Sequence, residues 1–366
     1  MRRLHPVAIA TSIVITIGFL TTGCGVLGTP QPEGECPTKY DAGIVWSSPT
    51  ARESAIQLFT DGKVVFTLPL PVQGMTVTDQ TPIRLGEDLV FISEGNVKSD
   101  RTNIIRFTPG TCSARVLRVS APAPYNLDAD AGHIYVVNNE FDVAHINVFD
   151  WEGDSIGTID IEDHMISSLT LDSDTIYATA HLYETQEVTI RAFDIDTLDK
   201  VFTVTVPDFH DYPHSITLVD NKLYLPSAFT DIVGSTEDDR LAVIDTKTEK
   251  TEFISLSAVS PYYSQLHKKE LYIAHTFMNP GLAPFSSYRH ISVVDTETQE
   301  VTGHDLSDGI TRFSVGITTM AVLGEDTNTN PILHTYSLSD MSQLIRVELD
   351  VPAVVQDGYA ANVFAP

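Results

Sequence analysis

Residues 133–161 read HIYVVNNEFDVAHINVFDWEGDSIGTIDI, and this stretch decides the fold because related stretches recur along the chain. It contains three segments, HIYVVN, HINVFD and SIGTIDI, in which apolar residues alternate with polar or small ones. Alternation with a period of two predicts strands that are buried on one face. Such a unit cannot bury its apolar faces alone, so the pattern predicts an array of copies that pack on one another.

Three more clear copies follow at residues 175–206, 222–256 and 270–306. Degenerate copies occupy residues 43–70, 88–119 and 318–349, which makes seven. Equivalent strands end at Thr60, Thr108, Asp150, Asp194, Asp245, Asp295 and Ser337, at spacings of 48, 42, 44, 51, 50 and 42 residues. These spacings bracket the period of four-stranded propeller blades. The sequence therefore predicts an all-β fold, a seven-bladed β-propeller that spans residues 41–366.

Each blade needs a fourth, innermost strand. Short apolar stretches that could supply it precede five of the copies, at residues 125–130, 167–172, 215–220, 264–268 and 313–317. The first copy has no such stretch before it, but residues 359–365 (YAANVFA) remain after the last copy. We therefore expect this C-terminal strand to pair with residues 43–48 and close the ring, which removes open sheet edges.

The clear copies resemble the YVTN-type propellers, a family related to the lactonase and quinoprotein-dehydrogenase propellers. The resemblance rests on IYVVN at residues 134–138, LAVIDTKT at 241–248 and ISVVDTET at 291–298. It implies the propeller fold. It says little about activity, because many functions are grafted onto this fold.

The N-terminus has the features of an export signal. Arg2 and Arg3 precede residues 7–20 (VAIATSIVITIGFL), whose 14 residues suit a signal-peptide core better than a membrane-spanning helix. Thr21-Thr22-Gly23-Cys24 follows and resembles the lipobox of bacterial lipoproteins, in which the cysteine thiol receives a diacylglyceryl group. The resemblance implies a signal peptide at residues 1–23 and a lipidated Cys24. The protein would then be extracytoplasmic and anchored to the bacterial cell membrane through its N-terminal lipid.

An uncleaved anchor and ordinary secretion are the alternatives to lipidation. Residues 24–40 are rich in Gly and Pro and lack periodicity, so we expect a flexible tether. If Cys24 carries lipid, Cys36 and Cys112 remain. The predicted topology puts both on the same face in adjacent blades, so we expect a disulfide, with two separate thiols as the alternative.

Charge and motifs exclude several functions. The formal net charge is −27, so binding to nucleic acid is opposed electrostatically. The sequence contains no G-x-S-x-G, H-E-x-x-H or P-loop motif, and no G-x-G-x-x-G between a strand and a helix that would indicate a Rossmann fold. No catalytic residue is predicted from these motifs.

One repeated feature predicts a ligand site. Pro124-Tyr125, Pro213-His214 and Pro261-Tyr262 occupy equivalent places, each ten residues before the tyrosine of the next strand. We expect Tyr125, His214 and Tyr262, joined by Arg312, to surround one mouth of the axial channel and bind a ligand there. The alternative is that these side chains only pack the rim of each blade.

A second hypothesis concerns metal ions. His210 and Asp211 lie in one loop, and His181 and His275 end second strands on the same face, so the four could bind zinc or copper. The alternative is that loop histidines are simply solvated. The acidic turn of Asp194, Asp196 and Asp199 could be imagined to bind calcium, but Asp and Thr more often stabilise such turns through their own backbone.

The resulting interpretation is a lipid-anchored binding module at the cell envelope, for a small-molecule ligand or an envelope protein. The long loop at residues 275–290 contains several apolar residues that would suit a protein partner. The alternatives are a lactonase-like, metal-dependent hydrolase and a propeller that binds or delivers metal. A dehydrogenase with a quinone cofactor is less favoured, because no sequence feature indicates a cofactor site.

Overall fold

The computed structural model describes residues 31–76, 80–93, 102–140, 142–182, 184–185, 187–209, 213–227, 237–276 and 288–366. Within these ranges the chain forms seven antiparallel sheets, which we number as blades one to seven. The prediction of an all-β, seven-bladed β-propeller is therefore confirmed.

The strands follow one another blade by blade. Blade one contains β1 (Glu33–Gly34), β2 (Ala42–Ser47), β3 (Ser54–Thr60) and β4 (Lys63–Leu70). Blade two contains β5 (Ile83–Leu85), β6 (Asp88–Ser93), β7 (Thr102–Thr108) and β8 (Ser113–Val119). Blade three contains β9 (Pro124–Ala129), β10 (His133–Asn139), β11 (Val143–Asp150) and β12 (Ser155–Glu162). Blade four contains β13 (His164–Leu171), β14 (Thr175–Leu182), β15 (Val188–Asp194) and β16 (Lys200–Val206).

The remaining blades repeat this order. Blade five contains β17 (Thr217–Val219), β18 (Lys222–Pro226), β19 (Arg240–Asp245) and β20 (Lys250–Ser255). Blade six contains β21 (Pro261–His267), β22 (Glu270–His275), β23 (His290–Asp295) and β24 (Val301–Asp305). Blade seven contains β25 (Gly309–Val315), β26 (Thr319–Glu325), β27 (Pro331–Ser337) and β28 (Gln343–Glu348). The last strand, β29 (Tyr359–Phe364), returns to blade one.

The ring closes through β29, as the sequence predicts. Strand β29 pairs antiparallel with β2, with Gly43 opposite Phe364 and Trp46 opposite Ala360. Phe364 is fully buried, and its ring meets the rings of Tyr40, Phe91 and Phe107 at centroid distances of 5.9, 6.1 and 6.0 Å. Glycine is required opposite it, because a Cβ at position 43 would overlap the Phe364 ring. The closing strand therefore joins blade one to the core of blade two.

The inner strands differ from their predicted bounds for a physical reason. In blades three, four, six and seven the inner strand begins one to four residues earlier than predicted. A register shift interrupts each of these strand pairs, between Ile166 and Ser168 in blade four and between Pro261 and Tyr263 in blade six, for example. A bulge breaks the alternation of apolar and polar residues, so the residues before it do not show the strand pattern.

The apolar core lies mostly between neighbouring blades. One buried cluster joins Val137 and Ile146 of blade three to Ile166 and Ile176 of blade four. Another joins Ala274 and Ile291 of blade six to Phe313 and Val322 of blade seven. Because each blade buries its faces against its neighbours, no blade has an independent core.

The segment before blade one is attached to the ring. Strand β1 pairs with β4, with Gly34 opposite Phe66, and adds a fifth strand at the outer edge of blade one. A disulfide joins Cys36 to Cys112, whose Cα atoms are 5.6 Å apart. Cys112 follows the short 3-10 helix Pro109–Thr111 in blade two. The last residues of the predicted tether are thus held to two blades.

The predicted signal peptide, residues 1–23, and Cys24 lie outside the described residues. In the part of the chain that is described, no helix combines the length and the apolar composition needed to cross a membrane.

Candidate functional site

The inner strands surround an axial cavity of about 560 Å³. Every blade contributes to its wall: Arg84, Asp128, Thr170, Ser215, Gln265 and Ser314 come from blades two to seven in that order, and Pro366 follows β29. A concave site of this size is suited to a small molecule rather than to a protein surface.

The charged side chains that line the cavity differ in their balance of sign from the chain as a whole. Among the described residues, the charged side chains of the lining are two cations, Arg84 and Lys268, and one carboxyl group, that of Asp128; His214 and His267 also line the cavity. The whole chain carries a formal net charge of −27. Cationic side chains therefore outnumber carboxyl side chains in this wall, the reverse of the chain as a whole, and this balance favours an anion over a cation.

Asp128 is a strongly perturbed titratable group in the cavity wall. Burial raises the pKa of its carboxyl group to about 7, and the charge of Asp130 acts in the same direction. Hydrogen bonds from backbone N–H groups oppose the rise, including one from Ala129 to Asp128 Oδ1 at 2.8 Å. A carboxyl group with this pKa can hold or release a proton near neutral pH, which is common at functional sites.

Two amide side chains in the same wall have unsatisfied oxygens. Among the described residues, Asn126 Oδ1 and Gln80 Oε1 are buried and accept no hydrogen bond. The Gln80 amide nitrogen donates to the carbonyl of Leu127. A buried polar atom without a partner is costly, and both of these oxygens belong to residues of the cavity wall close to Asp128.

The predicted mouth residues are in part brought together. The rings of His214 and Tyr262 stack, with centroids 4.3 Å apart and planes inclined by 23°. Tyr262 packs edge-on against Tyr263 at 4.6 Å, and the guanidinium of Arg312 lies 5.0 Å from the centroid of the Tyr263 ring. Tyr263, which the sequence interpretation did not include, therefore links three of the four predicted residues across blades five to seven.

The fourth residue, Tyr125, packs against the apolar cluster of blades three and four. Of the four, His214 lines the cavity, whereas Tyr262 and Arg312 are buried, with 4% and 6% of their surface exposed. The exposed lining residues include Lys268 and Ile317, in or next to the turns where first strands lead into second strands. Among the lining residues that the structure describes, the exposed ones therefore lie at the opposite end of the inner strands from the predicted mouth.

Two of the predicted metal ligands are described, and both are buried imidazoles. Both ring nitrogens of His275 have partners, Nδ1 with the Val259 carbonyl at 2.8 Å and Nε2 with Ser292 Oγ at 2.7 Å. Burial lowers the pKa of His275 to about 4. Burial likewise lowers the pKa of His181 to about 3, and the nearby His214 and His164 add to this effect.

His210 and Asp211 lie outside the described residues. Among the residues that the structure does describe, no group of three or more His, Cys, Asp or Glu side chains is placed to hold a metal ion. The metal site of His181, His210, Asp211 and His275 therefore stays a prediction.

The acidic turn considered for calcium uses its carboxylate within the turn. Asp194 Oδ1 accepts hydrogen bonds from the backbone of Asp196 at 3.1 Å and of Thr197 at 2.8 Å. These bonds, chiefly the one from Thr197, lower the pKa of Asp194. Asp245 and Asp295 accept equivalent bonds in blades five and six. The repeated carboxylate thus stabilises a turn, as short polar side chains commonly do.

Comparison with solved structures finds the same architecture in other proteins. The putative 6-phosphogluconolactonase of Bacteroides uniformis aligns with a TM-score of 0.59 at 11% identity, covering 89% of this chain and 99% of that one. The chain has the fold of that propeller. The corresponding protein of Bacteroides fragilis aligns with a TM-score of 0.58 at 10% identity, covering 89% and 98%. The dihydro-heme d1 dehydrogenase NirN aligns with a TM-score of 0.51 at 11% identity, covering 92% and 78%.

At these identities the likeness establishes the fold alone. No family model matches the sequence, and the search of curated proteins finds no match.

Proposed function

We propose that this propeller is a lipid-anchored, extracytoplasmic binding module at the bacterial cell envelope, which holds a small anionic molecule in its axial cavity. The observation that carries the proposal is the pair of cations, Arg84 and Lys268, in the wall of a cavity enclosed by an acidic chain.

The arrangement of polar groups supports a small ligand rather than a simple counter-ion. Lys268 lies at the exposed rim, where a cation can attract an anion from solution. Asp128 and Asn126 line the same wall farther along the inner strands, and polar side chains there suit a ligand that carries hydroxyl groups. A hydroxylated carboxylate, such as a sugar acid, would pair its carboxylate with Lys268 at the rim and place its hydroxyl groups beside the polar side chains deeper in the cavity.

The proposed location rests on two features. The Thr21-Thr22-Gly23-Cys24 sequence resembles a lipobox, and a diacyl group anchors a protein far more firmly than a single chain. The Cys36–Cys112 disulfide fits an exported protein, because disulfides persist in oxidising compartments. Replacing Cys24 by Ser should move the protein from the membrane fraction to the soluble fraction. Retention of this variant in the membrane fraction would argue against the anchor.

The chain offers a matched control for the binding test, because Lys268 lines the cavity while Lys269 pairs with Glu297 outside it. We propose to titrate the purified protein with gluconate, glucuronate and inorganic phosphate by calorimetry. Lys268→Gln should weaken binding by about tenfold, the effect of losing roughly 1.4 kcal/mol of interaction. Lys269→Gln should leave binding unchanged. Equal effects of the two substitutions, or no binding of any of the three anions, would overturn the proposal.

A hydrolase is the second candidate, favoured by the raised pKa of Asp128, because a group that titrates near pH 7 suits acid–base catalysis. The names of the two Bacteroides propellers point to the same class of reaction. The test is hydrolysis of glucono-δ-lactone by the wild type and by Asp128→Asn, with and without a chelator. Loss of turnover in the variant supports this candidate, and loss with the chelator supports its metal-dependent form.

A further inference from the structure

Three side chains at the boundary of blades five and six form a hydrogen-bonded line. Ser257 Oγ lies 2.7 Å from His290 Nε2, and His290 Nδ1 lies 2.8 Å from Asp305 Oδ1. This is the order of nucleophile, base and carboxylate that acyl transfer to a serine requires. The three residues are 33 and 15 positions apart in the sequence, so the fold alone brings them together.

The strand register explains why these three side chains lie close together. His290 begins β23 and lies directly opposite Asp305, the last residue of β24. Ser257 follows β20, the outermost strand of blade five, and so reaches across to blade six. Gly303 leaves the space for this contact, because a Cβ there would lie 2.6 Å from Ser257 Oγ and 2.7 Å from His290 Nε2.

Solvent and small molecules can reach this group. Ser257 is exposed, and 20% of the His290 side-chain surface is exposed. The Asp305 side chain is 84% exposed, so water screens its charge and its effect on the imidazole is smaller than that of a buried aspartate. Val259, two residues after Ser257, is 44% exposed and offers an apolar surface.

The hydroxyl of Ser257 has an acceptor whether His290 is neutral or protonated, because Ser292 Oγ lies beside it as well. His275 is neutral because burial lowers its pKa, and its Nδ1–H donates to the Val259 carbonyl, so its Nε2 accepts from Ser292 Oγ. Ser292 has then used its only hydrogen, and Ser257 Oγ lies 2.6 Å from Ser292 Oγ.

Ser257 therefore has one hydrogen and two acceptors. When His290 is neutral, the hydrogen can point to His290 Nε2, which is the geometry for proton abstraction. When His290 carries a second proton, its Nε2–H donates to Ser257 Oγ, and the serine hydrogen turns to Ser292 Oγ. The hydroxyl of Ser257 therefore has a hydrogen-bond acceptor both before and after His290 takes up the proton.

We propose that Ser257, His290 and Asp305 hydrolyse small esters with short apolar acyl groups, independently of the axial cavity. Ser257 Oγ bonds to the carbonyl carbon as its proton moves to His290 Nε2, and the ester C–O bond breaks as the leaving alcohol takes that proton. Water then attacks the acyl-serine and gives a proton to His290. The carboxylic acid leaves as Ser257 Oγ regains the proton, while Asp305 positions the imidazole.

The experiment uses p-nitrophenyl acetate with the detergent-solubilised full chain in the presence of a chelator. We expect release of nitrophenol and an acetyl mark on the peptide that contains Ser257, found by mass spectrometry. Ser257→Ala should remove the mark and lower the rate by at least about tenfold, because the covalent step is lost. Gly303→Ala should lower the rate as well, although it removes no reacting group.

Blade three supplies the matched control. His145 and Asp160 form the same pair at 2.7 Å with the same 15-residue separation, but His145 Nε2 faces the Glu140 carboxylate at 4.0 Å. His145→Gln should leave the rate unchanged. Asp305→Asn should lower kcat about 2- to 10-fold and leave KM unchanged, since the imidazole loses the carboxylate that positions it.

Thermal unfolding of each variant separates loss of activity from loss of fold. A folded Ser257→Ala protein with the wild-type rate, or an acetyl mark only at other residues, would overturn the proposal. Anion binding is measured by calorimetry and esterase activity by the acetyl mark on Ser257, so failure of one proposal can be told apart from failure of the other.

Discussion

The imidazole of His214 stacks on the phenol ring of Tyr262, and this contact joins the segment just before β17 of blade five to the start of β21 of blade six. Tyr262 is almost fully buried and also packs on Tyr263, so it is a structural residue as well as a candidate ligand contact. His214, by contrast, is partly exposed and lines the cavity. The two rings therefore should respond differently to substitution.

Tyr262→Ala should lower the free energy of unfolding by about 3–5 kcal/mol, as expected when a large buried side chain leaves a cavity. His214→Ala should lower it by only about 0.5–1.5 kcal/mol, the usual value of a ring–ring contact. Urea unfolding followed by tryptophan fluorescence measures both. Equal losses for the two variants would contradict the assignment of Tyr262 to the core.

Phe364→Ala should destabilise the whole ring by about 3–5 kcal/mol, because the side chain fills the junction of blades one and two. Tyr359 begins the same strand and is 38% exposed, so Tyr359→Ala serves as its control. We expect the control to change stability by no more than about 1 kcal/mol. If the two variants unfold alike, the closing strand does not contribute as the contacts indicate.

Reduction of the Cys36–Cys112 disulfide should lower the free energy of unfolding by about 2–4 kcal/mol, because the bond closes a long loop in the unfolded chain. Unfolding curves with and without a reducing agent measure this difference. The Cys36→Ser, Cys112→Ser double variant should match the reduced wild type and show no further response to the reducing agent. A residual response in the double variant would mean that the agent acts elsewhere.

Asp128 predicts a pH dependence of stability. Its folded-state pKa of about 7 lies above the ordinary value of 3.8, so its favourable contribution is present below pH 3.8 and is lost as the pH rises through 7. Three units correspond to at most about 4 kcal/mol between pH 4 and pH 8. Asp128→Asn should therefore gain stability relative to the wild type as the pH rises. An unchanged difference at pH 5 and pH 8, measured by urea unfolding, would show that Asp128 is not desolvated.

The repeat, the number of blades and the closing strand could be predicted because strand alternation is local and recurs at a regular spacing. Strand β5 was missed because three residues, Ile83–Leu85, are too few to show a period. Strand β1 was missed for the same reason, since the two residues Glu33–Gly34 include no apolar side chain. Short strands depend on their neighbours rather than on their own sequence.

The site was harder to predict than the fold. The pKa of Asp128 depends on burial by residues distant in sequence, and no motif marks it. Tyr263 was overlooked because a bulge after Pro261 changes which side chain faces the next blade. The arrangement of Ser257, His290 and Asp305 is visible in the sequence only as a histidine followed by an aspartate 15 residues later. The same spacing also occurs at His145 and Asp160, so it does not identify the group.

The covalent bond between Cys36 and Cys112 has a mechanical consequence. A pull along the chain from residues that precede Cys36 meets this bond before it reaches β2. The load then passes to blade two as well as to blade one, and it does not peel the first sheet away from β29. If the chain is anchored in a bilayer, the propeller can resist force applied at its N-terminal end without separation of β2 from β29.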